Sequence, residues 1–328
     1  MKILHICDGG LPDPRVERMA LTMKKEGHEL SFIGGKETRS QNLSVFSHTS
    51  SVSIGSGPRL AHDPRIRSRW VRAIEKANPD IVHAHDVLVG HFMLHTDIPA
   101  IFDDHENLSA QRFAYMSRSF IRRNAARLLL RKIPIWERQM AERYPVLTVS
   151  EGIANFYRNY TNDVNVLMNV PSLPEVEWLE SPKVREGCVF IGSDFLLSRF
   201  HPARDMTGLQ ELIDFDIVTG LPHREMMRFL AGHKIGLTPY RPHPFQLVCN
   251  PNKNYEYLHA GLQVVLQRNL AHLFKNNPYV YSFRNYDDIR NVIDSVQDVD
   301  HSAIMAHSRR NYIWENQEDI IREAYKRA

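Results

Sequence analysis

Two segments of the chain place histidines and acids at the ends of short apolar runs. His83, His85 and Asp86 follow the first run, and residues 103–106, Asp-Asp-His-Glu, follow the second. In an open sheet of parallel strands, ligands bind beyond the carboxyl ends of the strands, so these side chains belong to the edge where chemistry takes place. Imidazoles and carboxylates there could bind a metal ion, as in a hydrolase, or could hydrogen-bond the loops that follow the strands.

The histidines of these segments are given different interpretations. His105 is interpreted as a neutral hydrogen-bond donor to a ligand hydroxyl or phosphate, and His83 as a residue that bonds a loop. His91 adds one more imidazole, but no second, well-spaced set of ligands supports a metal. No metal is therefore assigned, and a metal-dependent hydrolase built on His83, His85 and Asp86 stays open as an alternative.

The stretch from Asn250 to Gly261 has the features of a helix with both ends marked. Asn250 can cap the helix, and Pro251 suits its first position. Gly261 can adopt the left-handed conformation that ends a helix. Residues 262–266, Leu-Gln-Val-Val-Leu, then predict a buried strand directly after the helix.

The same stretch carries groups suited to a nucleotide. Asn252 and Lys253 lie near the predicted helix N-terminus, which attracts phosphate through its free N–H groups and its dipole. Glu256 repels phosphate, so its carboxylate is better suited to accept hydrogen bonds from hydroxyls such as those of a ribose. Phosphate and ribose together indicate a nucleotide.

The loops after the first strand of each half hold further candidates. Gly9 and Gly10 allow the backbone to approach a ligand closely, or else make a tight turn. Arg15 either faces a ligand or lies in solvent at the start of a helix. Arg199 and Arg204 belong to the corresponding loop of the second half, where arginine suits forked contacts with phosphate.

A basic and aromatic stretch runs from Arg112 to Lys132. As a helix it forms a cationic amphipathic surface, which either lies on an anionic membrane or is a solvated face. Residues 1–168 hold 23 Lys and Arg against 18 Asp and Glu, and the remainder holds 18 against 20. The first half is thus the better surface for an anionic partner. A nucleic acid is not expected, because the net charge is only +3 and no nucleic-acid motif occurs.

The spacing of apolar residues predicts two α/β halves. Residues 2–7 form a short apolar run typical of a buried parallel strand, and Val16, Met19, Ala20 and Met23 follow at helical spacing. Alternation of strands and helices implies a parallel sheet in each half. Further strands are predicted at residues 29–33, 80–83, 100–103, 146–149, 188–191, 215–218, 234–237, 263–266 and 279–283.

This pattern predicts an α/β protein with two facing, doubly wound, Rossmann-like domains and a ligand site in the cleft between them. The predicted bounds are an N-terminal domain at 1–170, a proline-containing linker at 171–187, and a C-terminal domain at 188–307. A final helix is predicted at 308–328.

Length and composition agree with two globular domains. The chain has 328 residues, of which 43% are hydrophobic and 24% are charged. No run of about 18 or more apolar residues indicates a transmembrane helix. An early acid argues against a signal peptide. Three distant cysteines, Cys7, Cys188 and Cys249, indicate a reducing compartment. We therefore expect a cytoplasmic protein, with the inner face of a membrane as an option.

In their order and spacing, these segments resemble the motifs of retaining nucleotide-sugar glycosyltransferases of the GT-B fold, of the family-four type. The resemblance covers nearly the whole chain, and no single motif carries it alone. It implies that the domain at 1–170 binds the acceptor, that the domain at 188–307 binds the nucleotide sugar, and that the last helix crosses back to the first domain. The segments are residues 9–20, 27–29, 79–85, 103–106, 147–153, 219–220, 235–239 and 251–261.

The resemblance implies a role for each candidate on the donor side. Glu256 matches the second glutamate of the family's pair and would hold the donor ribose. Arg204 resembles the cation that neutralises the diphosphate leaving group in place of a metal. His105 would lie beside the donor sugar. Gly9 and Gly10 would let the first domain close on the diphosphate.

Other residues complete this assignment or depart from it. Arg199, Asn252 and Lys253 would contact phosphate, and Arg15 and His85 are assigned to the acceptor side. The first glutamate of the family's pair is replaced by Val248, and the family's other phosphate-binding arginine is replaced by Ser193.

The implied reaction is transfer of a hexose from a UDP- or GDP-sugar to an acceptor hydroxyl, with retention and without a cofactor or metal. The acceptor would be a sugar or a lipid-linked molecule used in cell-envelope, glycolipid or polysaccharide biosynthesis. Besides the hydrolase, the alternatives are a non-catalytic sugar-nucleotide-binding relative and a sugar-nucleotide epimerase.

Overall fold

The structure is a computed structural model that describes residues 1–38, 43–54, 63–110, 131–181, 185–192 and 202–328. The described residues divide into two compact units. The first takes the residues up to Met168 together with Gln317–Ala328, and the second takes those from Asn169 to Asn316. Ser193, Arg199 and most of the basic stretch from Arg112 to Lys132 lie outside the described residues.

The first unit contains a sheet of seven parallel strands within its described part. Their spatial order is β3-β2-β1-β4-β5-β6-β7. The central strands are almost entirely buried, which explains why they are apolar runs rather than alternating patterns. The strands are β1 (Lys2–Cys7), β2 (Glu29–Gly34), β3 (His48–Ser51), β4 (Ile81–His85), β5 (Ala100–Asp104), β6 (Val146–Thr148) and β7 (Val164–Val166).

The predicted strands of this unit all form, and β3 and β7 are additional. Both are edge strands of three or four residues. β3 has the sequence His-Thr-Ser-Ser and is partly exposed along its whole length. An edge strand of this kind contains no apolar run, so periodicity alone does not detect it.

Helices follow the strands of the first unit. In α1, the Asp13 side chain accepts from the backbone N–H groups of Arg15 and Val16, and Pro14 occupies the first turn. Its predicted apolar residues are buried. The helices are α1 (Pro14–Lys25), α2 (Pro64–Ala77), α3 (Val87–Gly90), α4 (Ile133–Arg143) and α5 (Glu151–Tyr157).

The second unit contains a five-stranded parallel sheet of order β12-β11-β10-β8-β9. Its strands are β8 (Cys188–Ile191), β9 (Asp216–Val218), β10 (Ile235–Thr238), β11 (Gln263–Gln267) and β12 (Val280–Phe283). The accompanying helices are α6 (Leu173–Val176), α7 (His223–Ala231), α8 (Lys253–His259), α9 (Tyr286–Asp294) and α10 (His301–Asn311).

Helix α8 begins two residues later than the caps predict. Asn250 does not cap it, because its side chain accepts a hydrogen bond from the Tyr255 hydroxyl at 3.0 Å. Asn252 occupies the N-cap position instead. The predicted end of the helix is confirmed, since Gly261 has a φ of 81°.

The tail contains two helices rather than the single one predicted from residue 308. Helix α10 ends at Asn311, because Tyr312 leaves helical geometry and the Trp314 N–H donates to the Pro171 carbonyl at 2.9 Å. Helix α11 (Glu318–Arg327) belongs to the first unit, where Lys25 of α1 donates to Glu318 at 2.8 Å. The predicted crossover of the last helix is therefore confirmed.

Candidate active site

The carboxyl edge of the first sheet collects most of the predicted polar residues. The strand order reverses between β1 and β4, because β2 and β3 lie on one side of β1 and the later strands lie on the other. Such a switch point leaves a crevice beyond the strand ends, where open α/β sheets bind ligands. The loop after β1, Asp86 after β4 and His105 after β5 belong to this edge.

Beneath this edge, Arg15 and Asp103 form a buried ion pair. Arg15 Nε and Nη2 donate to the two carboxylate oxygens at 2.8 and 2.7 Å, and Nη1 donates to the Leu167 carbonyl at 2.9 Å. Burial opposes ionisation of Asp103, but Arg15 and two neighbouring histidines hold its pKa well below the usual range. Arg15 is 1% exposed. The prediction that Arg15 contacts the acceptor is therefore wrong, and so is the alternative that Arg15 lies in solvent. Its guanidinium is bonded to Asp103 and Leu167 of the same unit.

Three histidines extend this ion pair across the sheet. His85 Nδ1 donates to Asp103 at 3.1 Å, and His85 Nε2 accepts from His5 Nδ1 at 3.0 Å. His83 Nδ1 accepts from the Tyr325 hydroxyl at 2.6 Å, and its Nε2 lies 3.6 Å from Asp103. Burial and neighbouring histidine charges lower the pKa of each ring, that of His83 to about 4. The three rings are therefore neutral at pH 7.

This arrangement corrects two predictions. His85 is fully buried, so it does not contact an acceptor. His83 is also fully buried, and it bonds the last helix through Tyr325 rather than a loop.

The metal-dependent hydrolase built on His83, His85 and Asp86 does not fit this geometry. Among the described residues, no set of three ligand atoms close enough to hold one ion includes Asp86. The three stacked imidazoles have centroids 4.5 to 5.3 Å apart and interplanar angles of 13 to 17°. Two of the three ring lone pairs are already used, that of His83 by the Tyr325 hydroxyl and that of His85 by His5.

The ring of His105 is held by Asp86. Its Nε2 lies 3.2 Å from one Asp86 carboxylate oxygen, and its backbone N–H donates to the other at 3.3 Å. Asp86 has φ 60° and ψ 160°, a conformation that is costly for any residue other than glycine. Strain of this kind persists where the surrounding structure holds a functional geometry.

The side chains of the Asp86–His105 pair are only 10% and 13% exposed. Burial raises the pKa of Asp86 well above its usual range, and the charge of Asp104 raises it further. His105 Nε2 faces Asp86, so Nδ1 is the ring nitrogen left to interact with a ligand. No described residue forms a hydrogen bond with Nδ1. Because an unpaired buried polar atom is costly, this nitrogen is a candidate to bind a ligand atom.

The loop that carries His105 is fixed on both sides. The Tyr157 hydroxyl donates to Asp104, which also accepts from the Asn107 N–H at 3.1 Å. The Ser109 N–H donates to the buried Glu137 carboxylate at 3.0 Å. Burial raises the pKa of Asp104 to about 6. These bonds position the loop independently of any ligand.

The two glycines after β1 have different surroundings. A Cβ atom at Gly10 would overlap the Glu37 carbonyl, so Gly10 lets this loop pack against the loop after β2. At Gly9 the nearest neighbour of such an atom would be Cys7 Sγ at 3.6 Å. Contact with a ligand therefore stays a prediction for Gly9. At Gly10 the backbone packs closely against Glu37 of the same chain.

In the second unit, the switch point lies between β8 and β10, and helix α8 packs over it. Lys253 Nζ lies 4.1 Å from the ring centre of Phe190 in β8 and donates to the Tyr240 hydroxyl after β10 at 2.9 Å. Glu256 Oε1 lies 3.9 Å from His223 Nε2, and the Glu256 side chain is 21% exposed. Both predicted residues of α8 are thus placed at the carboxyl edge of this sheet.

The other predicted phosphate contacts lie nearby in sequence or outside the described residues. Asn252 is exposed at the start of α8. Arg204 is partly buried at the end of the short 3₁₀ helix Pro202–Arg204. Arg199 is outside the described residues.

Sequence reasoning missed three supporting residues. Tyr325 bonds His83, Glu137 anchors the loop of His105, and Tyr257 bridges two strands of the second sheet. Each lies far along the chain from at least one of its partners, and its type and spacing give no signal. Asp86 is predicted only as a metal ligand, although its position after β4, the strand before the one that leads to His105, indicates the same edge.

The chain matches one family model and several solved structures. Residues 15–169 match the family model described as Glycosyltransferase Family 4. No curated protein sequence matches the chain.

Several solved structures are similar over the whole chain. Sucrose-phosphate synthase from Thermosynechococcus elongatus covers 100% of this chain and 98% of its own, at 12% identity and a TM-score of 0.69. HepE from Anabaena, in complex with UDP and glucose, covers 99% of both chains at 13% identity and a TM-score of 0.64. UDP-GlcNAc 2-epimerase from Methanocaldococcus jannaschii covers 99% and 100% at 10% identity and a TM-score of 0.54. At these identities the similarity shows the fold, and the predicted pair of Rossmann-like units of the GT-B type is confirmed.

Proposed function

We propose that this chain of GT-B fold is a glycosyltransferase that transfers a hexose from a UDP- or GDP-sugar to an acceptor hydroxyl with retention and without a metal. The observation that carries the proposal is the Asp86–His105 pair at the switch point of the first sheet. It supplies a positioned ring nitrogen at the edge where this fold binds ligands. HepE, one of the similar structures, was solved with UDP and glucose.

In the first unit, His105 would bind a hydroxyl or phosphate oxygen of the donor through Nδ1, and Asp86 would orient the ring. A donor held in place before reaction stabilises developing negative charge without a cost of reorganisation. The bonds of Asp104 and Glu137 to the following loop keep this donor in position.

In the second unit, Glu256 would accept hydrogen bonds from the ribose hydroxyls, and Arg204 would neutralise the diphosphate, assisted by Lys253, Asn252 and Arg199. During transfer, the bond from the anomeric carbon to the diphosphate oxygen breaks, and a bond to the acceptor oxygen forms on the same face. The acceptor proton passes to the departing phosphate. Electrostatic stabilisation of that phosphate would be the largest contribution to the rate.

Nucleotide binding provides the first test. In buffer containing a chelator, UDP or GDP is expected to raise the melting temperature of the full chain, since a ligand that binds only the folded state stabilises it. Glu256→Ala is expected to abolish the shift, and Glu142→Ala, at an exposed glutamate of the first unit, is expected to preserve it. No shift with either diphosphate, for the wild-type chain, contradicts the proposal.

The stereochemistry is tested on the product. Proton NMR of a newly formed glycoside is expected to show the anomeric configuration of the donor sugar. A product of inverted configuration would still support a glycosyltransferase. It would replace the same-face mechanism by one in which the Asp86–His105 pair acts as a general base.

A non-catalytic nucleotide-sugar-binding relative is the second candidate. It is favoured by Val248, an apolar residue at the position where the resemblance expects a carboxylate. Binding of a diphosphate without any consumption of donor sugar would support it, and turnover sensitive to Glu256→Ala would exclude it. Release of an epimerised sugar would instead identify an epimerase.

The proposed acceptor is a sugar or a lipid-linked molecule used in envelope or glycan biosynthesis, reached from the cytoplasmic face of a membrane. The support is the basic stretch from Arg112 to Lys132. Within the described residues, no helix has both the length and the apolar character needed to cross a bilayer. Sedimentation with vesicles containing phosphatidylglycerol, compared with neutral vesicles, tests this assignment, and equal binding to both contradicts it.

A further inference from the structure

The hydrogen-bond ladder between β8 and β10 stops before either strand ends. Its register reaches Val189 and Gly236, although β8 continues to Ile191 and β10 to Thr238. On its other side, β10 pairs along its whole length with β11. The interruption is therefore specific to the β8–β10 boundary.

The hydroxyl group of Tyr257 occupies the place of the next hydrogen bond. Continuing the register would pair Ile191 with Thr238 and would direct the Ile191 N–H at the Leu237 carbonyl. Instead, the Ile191 N–H donates to Tyr257 Oη at 2.9 Å, and Oη donates to the Leu237 carbonyl at 3.0 Å. One inserted hydroxyl thus satisfies both backbone groups while the strands stay apart.

The surrounding residues make this insertion possible. A Cβ atom at Gly236 would overlap the ring of Tyr257, so glycine is required beneath the ring. The ring is fully buried. Pro239, directly after β10, has no N–H with which the ladder could resume. Burial raises the pKa of Tyr257, which keeps the hydroxyl protonated and able to donate.

The gap lies at the switch point of the second sheet, the position where open α/β sheets bind ligands. Lys253, one helical turn before Tyr257 on α8, places its Nζ over Phe190 of β8 and against Tyr240 after β10. We infer that Tyr257 is a positioning residue, whose hydroxyl holds the ends of β8 and β10 apart and thereby shapes the crevice that receives the donor diphosphate. This inference rests on the proposed function, because it needs a diphosphate to bind the second unit.

The test compares two tyrosines of the same helix. Tyr257→Phe removes the inserted hydroxyl. Tyr255→Phe is the matched control, because Tyr255 is equally buried and donates to the Asn250 side chain at 3.0 Å, away from the two strands. The dissociation constants of UDP and GDP are measured by titration calorimetry on the full chain, well below the melting temperature of each variant.

Tyr257→Phe is expected to weaken diphosphate binding about tenfold, and Tyr255→Phe to change it less than about twofold, although both lower the melting temperature. In an assay of sugar transfer, Tyr257→Phe is expected to raise the KM for the donor and leave the KM for the acceptor unchanged. Gly236→Ala, which displaces the same ring, provides a second variant and is expected to weaken diphosphate binding similarly.

Unchanged diphosphate affinity in Tyr257→Phe or in Gly236→Ala overturns the inference, as does equal weakening in Tyr255→Phe. A wild-type chain that binds neither diphosphate overturns the proposed function and this inference together. The wild-type titration therefore distinguishes the two failures.

Discussion

Arg15 and Asp103 lie 88 residues apart in the chain and form a two-pronged ion pair with N–O distances of 2.8 and 2.7 Å. Neither side chain is more than 1% exposed. The pair joins the first turn of α1 to the end of β5, next to the loop of His105. Its role is to hold the edge of the sheet together rather than to bind a ligand.

Asp103→Asn is expected to destabilise the chain strongly, because it leaves the Arg15 guanidinium buried without a counter-charge. The free energy of unfolding, measured by urea denaturation, is expected to fall by about 3–5 kcal/mol. Glu151→Gln breaks the exposed pair with Arg158 and is expected to cost less than about 1 kcal/mol. Equal losses in the two variants would show that burial of the first pair is unimportant.

Stability is expected to decrease as the pH falls from about 6.5 to about 4. Burial lowers the pKa of His83 to about 4 in the folded chain, whereas an unfolded histidine titrates near about 6.5. Within that window the unfolded state binds a proton that the folded state does not, so the free energy of unfolding decreases, by up to roughly 3 kcal/mol from His83. His5 and His85 contribute in the same direction.

His83→Gln is therefore expected to flatten the dependence of the melting temperature on pH in this window, with a lower value at pH 7. The control is His48→Gln, since His48 is exposed. A slope that stays unchanged in His83→Gln would mean that this ring is not neutral in the folded chain.

Tyr325→Phe is expected to loosen the attachment of α11 to the first unit. It removes the 2.6 Å hydrogen bond to His83 and leaves a buried nitrogen unpaired, at a cost of about 1–3 kcal/mol. Hydrogen exchange of the amides in Glu318–Arg327 is expected to accelerate. Tyr160→Phe, at a tyrosine that is 38% exposed, should leave that exchange unchanged. Unchanged exchange in Tyr325→Phe would show that other contacts hold the helix.

Two substitutions of Asp86 test how its side chain supports His105. An asparagine amide can donate to His105 Nε2 and keep hydrogen on Nδ1, so Asp86→Asn is expected to retain activity within about threefold. Asp86→Ala removes the partner and is expected to lower kcat about a hundredfold. The pH profile of kcat/KM is the decisive measurement. Because burial raises the pKa of Asp86, kcat/KM of the wild type should decline as the pH rises through that raised pKa, and in Asp86→Asn this decline should disappear.

Asp86→Gly is expected to raise stability while it lowers activity. Glycine accepts φ 60° and ψ 160° without strain, which favours the folded state by about 1–3 kcal/mol. The side chain that orients His105 is lost, so kcat is expected to fall as in Asp86→Ala. A melting temperature below that of Asp86→Ala would contradict the assignment of strain to Asp86.

The features that were predictable depend on short stretches of chain. The buried strands β1 and β4 are apolar because both faces of a central parallel strand are covered. The end of α8 at Gly261 follows from the conformational freedom of one residue. In each case the physical cause lies within a few neighbouring residues, so the sequence displays it directly.

The features that were missed depend on distant partners. Asn250 has a side chain suited to cap a helix, but that side chain accepts a hydrogen bond from Tyr255, and α8 starts later. Arg15 has a side chain suited to bind an anionic ligand, but its guanidinium forms an ion pair with Asp103. A polar group bonds to whichever partner the fold brings close, and local sequence does not contain that information.

The sequence by itself determined the α/β class, the two parallel sheets, the resemblance to glycosyltransferases and the placement of His105 and Glu256 at strand edges, because periodicity and residue order specify these. Only the tertiary structure decided that Arg15 and His85 are internal, that Asp86 supports His105, and that Tyr257 separates β8 from β10. These roles are hydrogen bonds across 18 to 88 residues of chain, and a bond over such a distance exists only once the fold has brought its two ends together.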